Sequence, residues 1–303
     1  MHKNRVMIMD KRTILLMLDP DEQASVFDRV VAVDAGADVL FAHGGVKPSQ
    51  VQGLVHGCIF TRSPKDLQRT AIFVGGSNVG QAEAILDEVH RAMIPQYGLQ
   101  VSTMLDANGC NTTAAAAVRK ASDHMNFGEK KALVLGGTGP VGSRVALLLA
   151  REGAKVILGS RSKSKADLVA KTIAQRLSNT SNTQAVVPVE ITNEDDIARN
   201  VQGCSLVVSA GAAGAKFTSV SRLASLGGIQ VLIDLNGVPP LGLEGIEPTD
   251  CARERSGLIC YGALGVGGFK IKLHRACVAS LFEKNSRRLE AAEIFELAKT
   301  LGR

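Results

Sequence analysis

Gly137-Thr138-Gly139-Pro140-Val141-Gly142 has the spacing Gly-x-Gly-x-x-Gly, follows the apolar run Ala132-Leu133-Val134-Leu135 and leads into a helical pattern from Ser143 to Glu152. Strand, glycine turn and helix in that order form the context in which this spacing holds a dinucleotide. Gly137 is expected to permit the tight turn and Gly139 to let backbone amides approach a pyrophosphate. Gly142 would let the helix pack closely on the strand, with its N-terminus facing the phosphates. The next strand, Lys155 to Leu158, ends in Gly159-Ser160-Arg161-Ser162-Lys163-Ser164-Lys165. An NAD-preferring site places Asp or Glu there to bind the ribose hydroxyls. Here Arg161 stands 19 positions beyond Gly142, where its guanidinium can fork onto a 2′-phosphate while Ser160 and Ser162 donate to it and Lys165 adds charge. The expected cofactor is NADP, with dual use of NAD left open. Read alone, the same loop is also a solvated turn after a structural β-α-β unit.

Other loops with chemical potential follow expected strands, where open α/β sheets bind their ligands. Ala210 and Gly211 begin a run of small residues that would let a nicotinamide ring lie against backbone, and a simple glycine turn is an equal reading. Asn236 opens the loop Asn236-Gly237-Val238-Pro239-Pro240-Leu241-Gly242, expected to flank the cofactor. Gly75 to Gly80 lacks the Lys-Ser/Thr of a phosphate loop and is read as a substrate-side loop, as is Asp106-Ala107-Asn108-Gly109. Lys270 follows the glycines Gly265, Gly267 and Gly268 and is read as a helix start, where a lysine opposes the helix dipole. A ligand carboxylate or carbonyl would explain it; so would plain solvation.

The elements that must position these groups alternate. Strands are expected at Thr13 to Leu18, Val39 to Phe41, Cys58 to Thr61, Thr70 to Val74 and Gln100 to Leu105. Helices are expected at Ser25 to Val33, Pro48 to Leu54 and Gly80 to Met93. A helix from Ala114 to Met125, with Asn111 or Thr112 as its N-cap, connects to a second domain beginning at Ala132. That domain continues with a helix from Lys165 to Leu177, a turn over Ser178 to Thr183, and strands at Ala185 to Val189, Ser205 to Ser209 and Val231 to Leu235. Gly262 to Gly268 punctuates the chain before helical patterns at Phe269 to Lys284 and Leu289 to Leu301. Alternation of this kind makes an α/β fold with open sheets. Residues 1 to about 11 show no periodicity, as a late start codon or a frayed terminus would produce.

Bulk properties narrow the function. With 303 residues, two domains are expected, and 31 glycines suit many tight strand-to-helix turns. A net charge of +6 is mild, and no Lys/Arg block interleaves with aromatics, which argues against nucleic acid. It does suit ligands bearing phosphates or carboxylates. Six cysteines without a Cys-x-x-Cys pair and six scattered histidines predict reduced thiols and no metal. The run Thr13 to Leu18 is too short for a signal-peptide core and no segment approaches a membrane span, so a cytoplasmic protein is expected.

The chain resembles the methylene-tetrahydromethanopterin dehydrogenases of methylotrophic bacteria, distant relatives of the bifunctional methylene-tetrahydrofolate dehydrogenase/cyclohydrolases. The matching stretches include Ser25-Val26-Phe27-Asp28, Thr70 to Gly76, Met104-Leu105-Asp106, Asn111 to Ala116, Gly137 to Gly142, Pro239-Pro240-Leu241-Gly242, and Gly262 to Gly265 through Lys270 to Cys277. The resemblance implies a pterin-binding α/β domain over residues 1–122 with 273–303, a Rossmann-like NADP domain over 123–272, and a cleft between them. It implies reversible hydride transfer from the methylene carbon of a tetrahydropterin substrate to NADP, and a homo-oligomer, trimeric or hexameric. By matched position Lys270 looks like the family's active-site lysine and Asp28 its acidic partner, both catalytic, with Asp106 and Asn108 as substrate-binding candidates. The folate relatives carry a Tyr-x-x-x-Lys pair in their first domain that has no counterpart here, so hydrolysis of the product is not expected. Two rivals stand beside this reading: a methylene-tetrahydrofolate dehydrogenase, and a non-catalytic NADP-binding sensor.

Overall fold

Short apolar strands, most of them alternating with helices, build two large, mainly parallel sheets and one small two-stranded sheet in a computed structural model that describes residues 11–177 and 185–302. The expected turn at 178–183 and nearly all of the N-terminal stretch without periodicity lie outside the described residues. The chain divides into two compact units, one of residues 11–108 with 274–290 and one of 109–273 with 291–302.

In the first unit β1 (Ile14–Leu18), α1 (Val26–Asp34), β2 (Val39–His43), α2 (Pro48–Ile59), β3 (Thr70–Val74), α3 (Val79–Ala92) and β4 (Ser102–Leu105) alternate. Their sheet runs β4, β3, β1, β2, all parallel, and the late strand Arg288–Leu289 adds to β4. β3 is buried throughout, as a central parallel strand covered on both faces must be. The strand expected at Cys58 to Thr61 is absent. Val51, Val55, Cys58 and Ile59 are buried at helical spacing, and α2 continues through them.

The second unit opens with α4 (Cys110–Ser122), then β5 (Lys131–Leu135), α5 (Pro140–Arg151), β6 (Lys155–Ser160), α6 (Lys163–Arg176), β7 (Val186–Glu190), α7 (Glu194–Asn200) and β8 (Cys204–Ser209). A short strand β9 (Thr218–Ser219), α8 (Val220–Leu226), β10 (Val231–Asp234), a second short strand β11 (Leu243–Glu244), β12 (Arg253–Arg255) and β13 (Leu258–Tyr261) follow. Helix α9 (Ala263–Ser280), the strand β14 already described at Arg288–Leu289, and α10 (Ala291–Thr300) end the chain. The sheet order is β12, β13, β10, β8, β5, β6, β7, parallel except for β12 against β13. From β5 the chain builds outward through β6 and β7, then crosses back to β8 on the other side. That reversal makes the end of β5 the switch point at which doubly wound sheets bind ligands.

The starts of α4 and α9 also differ from expectation. The N-cap of α4 is Gly109, at φ 60° and ψ 22°, and not Asn111 or Thr112. Both are buried inside the first turn, where Asn111 Oδ1 accepts a hydrogen bond from Arg144 and Thr112 donates to the Gly109 carbonyl. Gly262 to Gly268 does not punctuate the chain either, because α9 starts at Ala263 and runs through it. The cause is close approach: a Cβ on Gly265 would lie 1.8 Å from the Asp250 carbonyl oxygen, so the first turn of α9 needs a glycine to pack there. Lys270 therefore sits inside α9, not at its start. Among the described residues, no helix is long and apolar enough to cross a membrane. No group of three His, Cys, Asp or Glu among them is arranged to hold a metal ion.

Candidate functional site

The turn after β5 is built from backbone. Gly136, not Gly137, takes the left-handed conformation, at φ 70°; the tight turn assigned to Gly137 begins one residue earlier. Gly137 instead packs against β6, where an added Cβ would come within 2.5 Å of the Leu158 side chain. A Cβ on Gly142 would lie 2.4 Å from the Gly136 carbonyl oxygen, which leaves only hydrogen at that position. Gly139 caps α5 and Pro140 occupies its first turn, where the missing N–H costs nothing. Thr138, Gly139 and Val141 are partly exposed, so the loop and the free amides of the first turn of α5 are open to an anion.

At the end of β6, Ser160 is buried and its hydroxyl lies 3.2 Å from that of Thr138, tying the basic loop to the glycine turn. Ser162 caps α6, accepting the Lys165 N–H at 3.4 Å, and its own N–H donates to Ser160 Oγ. Arg161 and Lys165 are exposed on this frame. Ala210 donates its N–H to the Leu135 carbonyl, which brings the loop after β8 against the end of β5; Ala210 and Gly211 are both partly exposed. Asn236 is buried, and its amide works inside its own loop, donating to the Pro240 carbonyl and accepting the Val238 N–H. Below it Asp234 accepts the N–H groups of Leu243 and Asn236. Burial pushes the Asp234 carboxyl above the usual carboxylate range, and the Leu243 N–H pulls it partly back.

In the first unit the strand register sets the chemistry. Leu18 pairs with Val74, and Val74 with Leu105, so the next residues, Asp19, Gly75 and Asp106, stand in a row at the carboxyl edge. Adjacent strands there are about 4.8 Å apart. Asp19 accepts the N–H groups of Asp21 and Ser25, while burial raises its carboxyl above the ordinary range. Asp28 lies in the first turn of α1, its N–H accepted by the capping hydroxyl of Ser25. Its carboxylate shares the space over Gly75 with that of Asp19, at 3.5 and 3.6 Å from where a Cβ would stand. His274 of α9 completes the group. Its Nδ1 lies 4.0 Å from Asp28 Oδ1 and 3.9 Å from Asp106 Oδ2, and its ring stacks on Phe73 with centroids 5.6 Å apart. Asn108 is exposed, at φ 51°, and donates its N–H to the Gly76 carbonyl.

In the second unit Lys270 is half-buried, its Nζ 3.2 Å from where a Cβ on Gly109 would stand. It thus lies at the N-terminus of α4. The conflict between a lysine and a helix dipole, wrongly expected at the start of α9, arises at α4 instead.

A sequence family described as methylene-tetrahydromethanopterin dehydrogenase, N-terminal, matches residues 26–108, and a family described as NAD(P)H-binding matches residues 136–234. The bifunctional protein MdtA of Methylorubrum extorquens is 42% identical over 293 residues, spanning 96% of this chain and 99% of that protein. The chain belongs to the methylene-tetrahydromethanopterin dehydrogenase family. A second member of this family from the same organism, named NAD(P)-dependent methylenetetrahydromethanopterin dehydrogenase, is 32% identical over 86% of this chain and 88% of its own. Among solved structures, shikimate 5-dehydrogenase from Listeria monocytogenes superposes with a TM-score of 0.51 at 12% identity, covering 94% of this chain and 96% of that one. At that identity the likeness shows the α/β fold alone.

The sequence reading passed over Gly136, Asp19 and His274. Gly136 was hidden by the fit of the motif one residue later. His274 had a signal: it follows Lys270 by four residues, one helical turn.

Proposed function

We propose that the chain catalyses reversible dehydrogenation of methylene-tetrahydromethanopterin to the methenyl form in one-carbon metabolism, with NADP as hydride acceptor and NAD as an alternative. The observation that carries this reading is the whole-length relationship to the two Methylorubrum extorquens proteins, one of them named for this activity. The residues fit the nucleotide: the glycine turn leaves no room for a side chain at Gly142, and Ser160, Arg161, Ser162 and Lys165 replace the acidic residue that binds an unphosphorylated ribose. When bound, the nicotinamide accepts the hydride.

The chain's own groups hold the partners. Amides of the turn and of α5 bind the pyrophosphate, Arg161 and the serines take the 2′-phosphate, and Ala210 and Gly211 offer a flat backbone surface to the ring. Asp28 accepts from the amino and ring N–H groups of the pterin, and Lys270 orients its polar edge. The methenyl cation is delocalised over its two flanking nitrogens, so no proton has to move with the hydride, and positioning supplies most of the acceleration. The first unit is assigned to the pterin and the second to NADP. A cytoplasmic homo-oligomer, trimeric or hexameric, completes the proposal.

The test is NADPH formation, followed by absorbance, with the methanopterin carrier and in parallel with the folate carrier. Rapid reduction that falls about 100-fold or more in Lys270→Ala supports the reading and the lysine together. Tight NADP binding without turnover on either carrier overturns it in favour of a sensor, and faster turnover of the folate carrier moves the assignment to that substrate.

A further inference from the structure

We propose that His274, backed by Asp106, is a positioning residue that holds the Asp28 carboxylate in place for the carrier. This rests on the proposed pterin site. The side-chain exposures are ordered: 0% for Asp106, 0% for His274 and 12% for Asp28. Only the last can reach a ligand in solvent, so Asp106 is reassigned from substrate contact to support. The three groups come from separate elements, the end of β4, the middle of α9 and the first turn of α1. One imidazole nitrogen lies 3.9 Å from one carboxylate and 4.0 Å from the other. Those separations exceed a hydrogen bond and fit a Coulombic contact. An imidazolium there offsets the negative charge of the two carboxylates that its Nδ1 faces, in surroundings too dry for water to screen it. Stacking on Phe73, at an interplanar angle of 19°, fixes the plane of the ring and hence the direction of Nδ1. Asp19 faces the same space over Gly75, and its carboxylate is already committed to the Asp21 and Ser25 N–H groups.

The chain that results, Asp106 to His274 to Asp28, has the form by which a buried carboxylate orients a histidine and the histidine orients the group that meets the ligand. A positioning role affects binding of the carrier and leaves the nucleotide alone.

Three measurements test it. In the wild-type protein with 15N-labelled histidine, the His274 ring nitrogens at pH 7 should give the paired shifts of an imidazolium; the shifts of a neutral ring overturn the proposal, whatever the activity. In His274→Phe, which keeps the ring on Phe73, the carrier KM should rise about tenfold or more while kcat and the NADP KM stay within about twofold. Adding Asp106→Asn should restore the melting temperature lost in His274→Phe without restoring the carrier KM, because it removes a buried charge left without its counter-charge. An unchanged carrier KM in folded His274→Phe, or a parallel loss of carrier and nucleotide kinetics, overturns the proposal. If the wild-type protein turns over neither carrier, the functional reading fails, while the histidine shifts still decide the charge on His274.

Discussion

The glycine turn after β5 and the carboxylate row of the first unit present binding chemistry of opposite kinds. The first is made of backbone: Gly136 bends it, Gly142 lets it close, and no side chain in it carries charge. The second is made of side chains, Asp19, Asp28, Asp106 and His274, brought together by strand register and a distant helix. Backbone chemistry is local, so six consecutive residues announce it. Side-chain chemistry assembled from β1, α1, β4 and α9 has no local signature. The difference also sets how each fails: steric change destroys the turn, and charge change destroys the row.

The most severe test of that contrast is Gly142→Ala. Its methyl would sit 2.4 Å from the Gly136 carbonyl oxygen, and forcing the backbone apart should cost about 1–3 kcal/mol. NADP affinity measured by titration should fall at least tenfold and the melting temperature by several degrees, with carrier binding to the other region spared. Intact NADP affinity would show that the turn tolerates a side chain and that the contrast is overdrawn. Next in size is Arg161→Ala. Loss of a charge-assisted bond worth roughly 1.5–3 kcal/mol should raise the NADP KM tenfold or more and leave the NAD KM unchanged. Equal effects on both would remove Arg161 from the 2′-phosphate.

The smallest effect is chemical. Burial pushes the thiols of Cys58, Cys204 and Cys260 up to about 11, and pushes Cys277 higher still, helped by the negative charge of Asp106. Cys251 alone of the six cysteines is exposed. A disulfide reagent at pH 8 should therefore titrate one thiol quickly in the native protein and all six after denaturation. A second fast thiol identified as Cys277 would show that water enters beside Asp106, and that the row is wetter than its geometry implies.

How much of this was legible in the sequence follows the same division. The alternation of elements, the position of the fingerprint after β5 and the basic loop after β6 were readable because each rests on residues close in the chain. Cys58 to Thr61 was misread because three consecutive apolar residues, Cys58, Ile59 and Phe60, suit a strand or the last turn of a helix, and only the spacing back to Val51 and Val55 separates the two. Gly265 was misread because glycine suggests a break, whereas here it serves a close approach to the Asp250 carbonyl made by tertiary packing. His274 escaped because its partners lie 246 and 168 residues earlier, a separation that no periodicity spans.

Asp234, Asn236 and Gly242 form a single module. Asp234 anchors both ends of the loop through the Asn236 and Leu243 N–H groups, Asn236 staples its interior, and Gly242 leaves only 2.2 Å between a would-be Cβ and the Ser209 hydroxyl. A loop exchanged between relatives would keep its shape only if these residues travelled with it. Variation in this family should therefore concentrate at Val238, exposed at the tip, where a side chain can change without disturbing the staples beneath it.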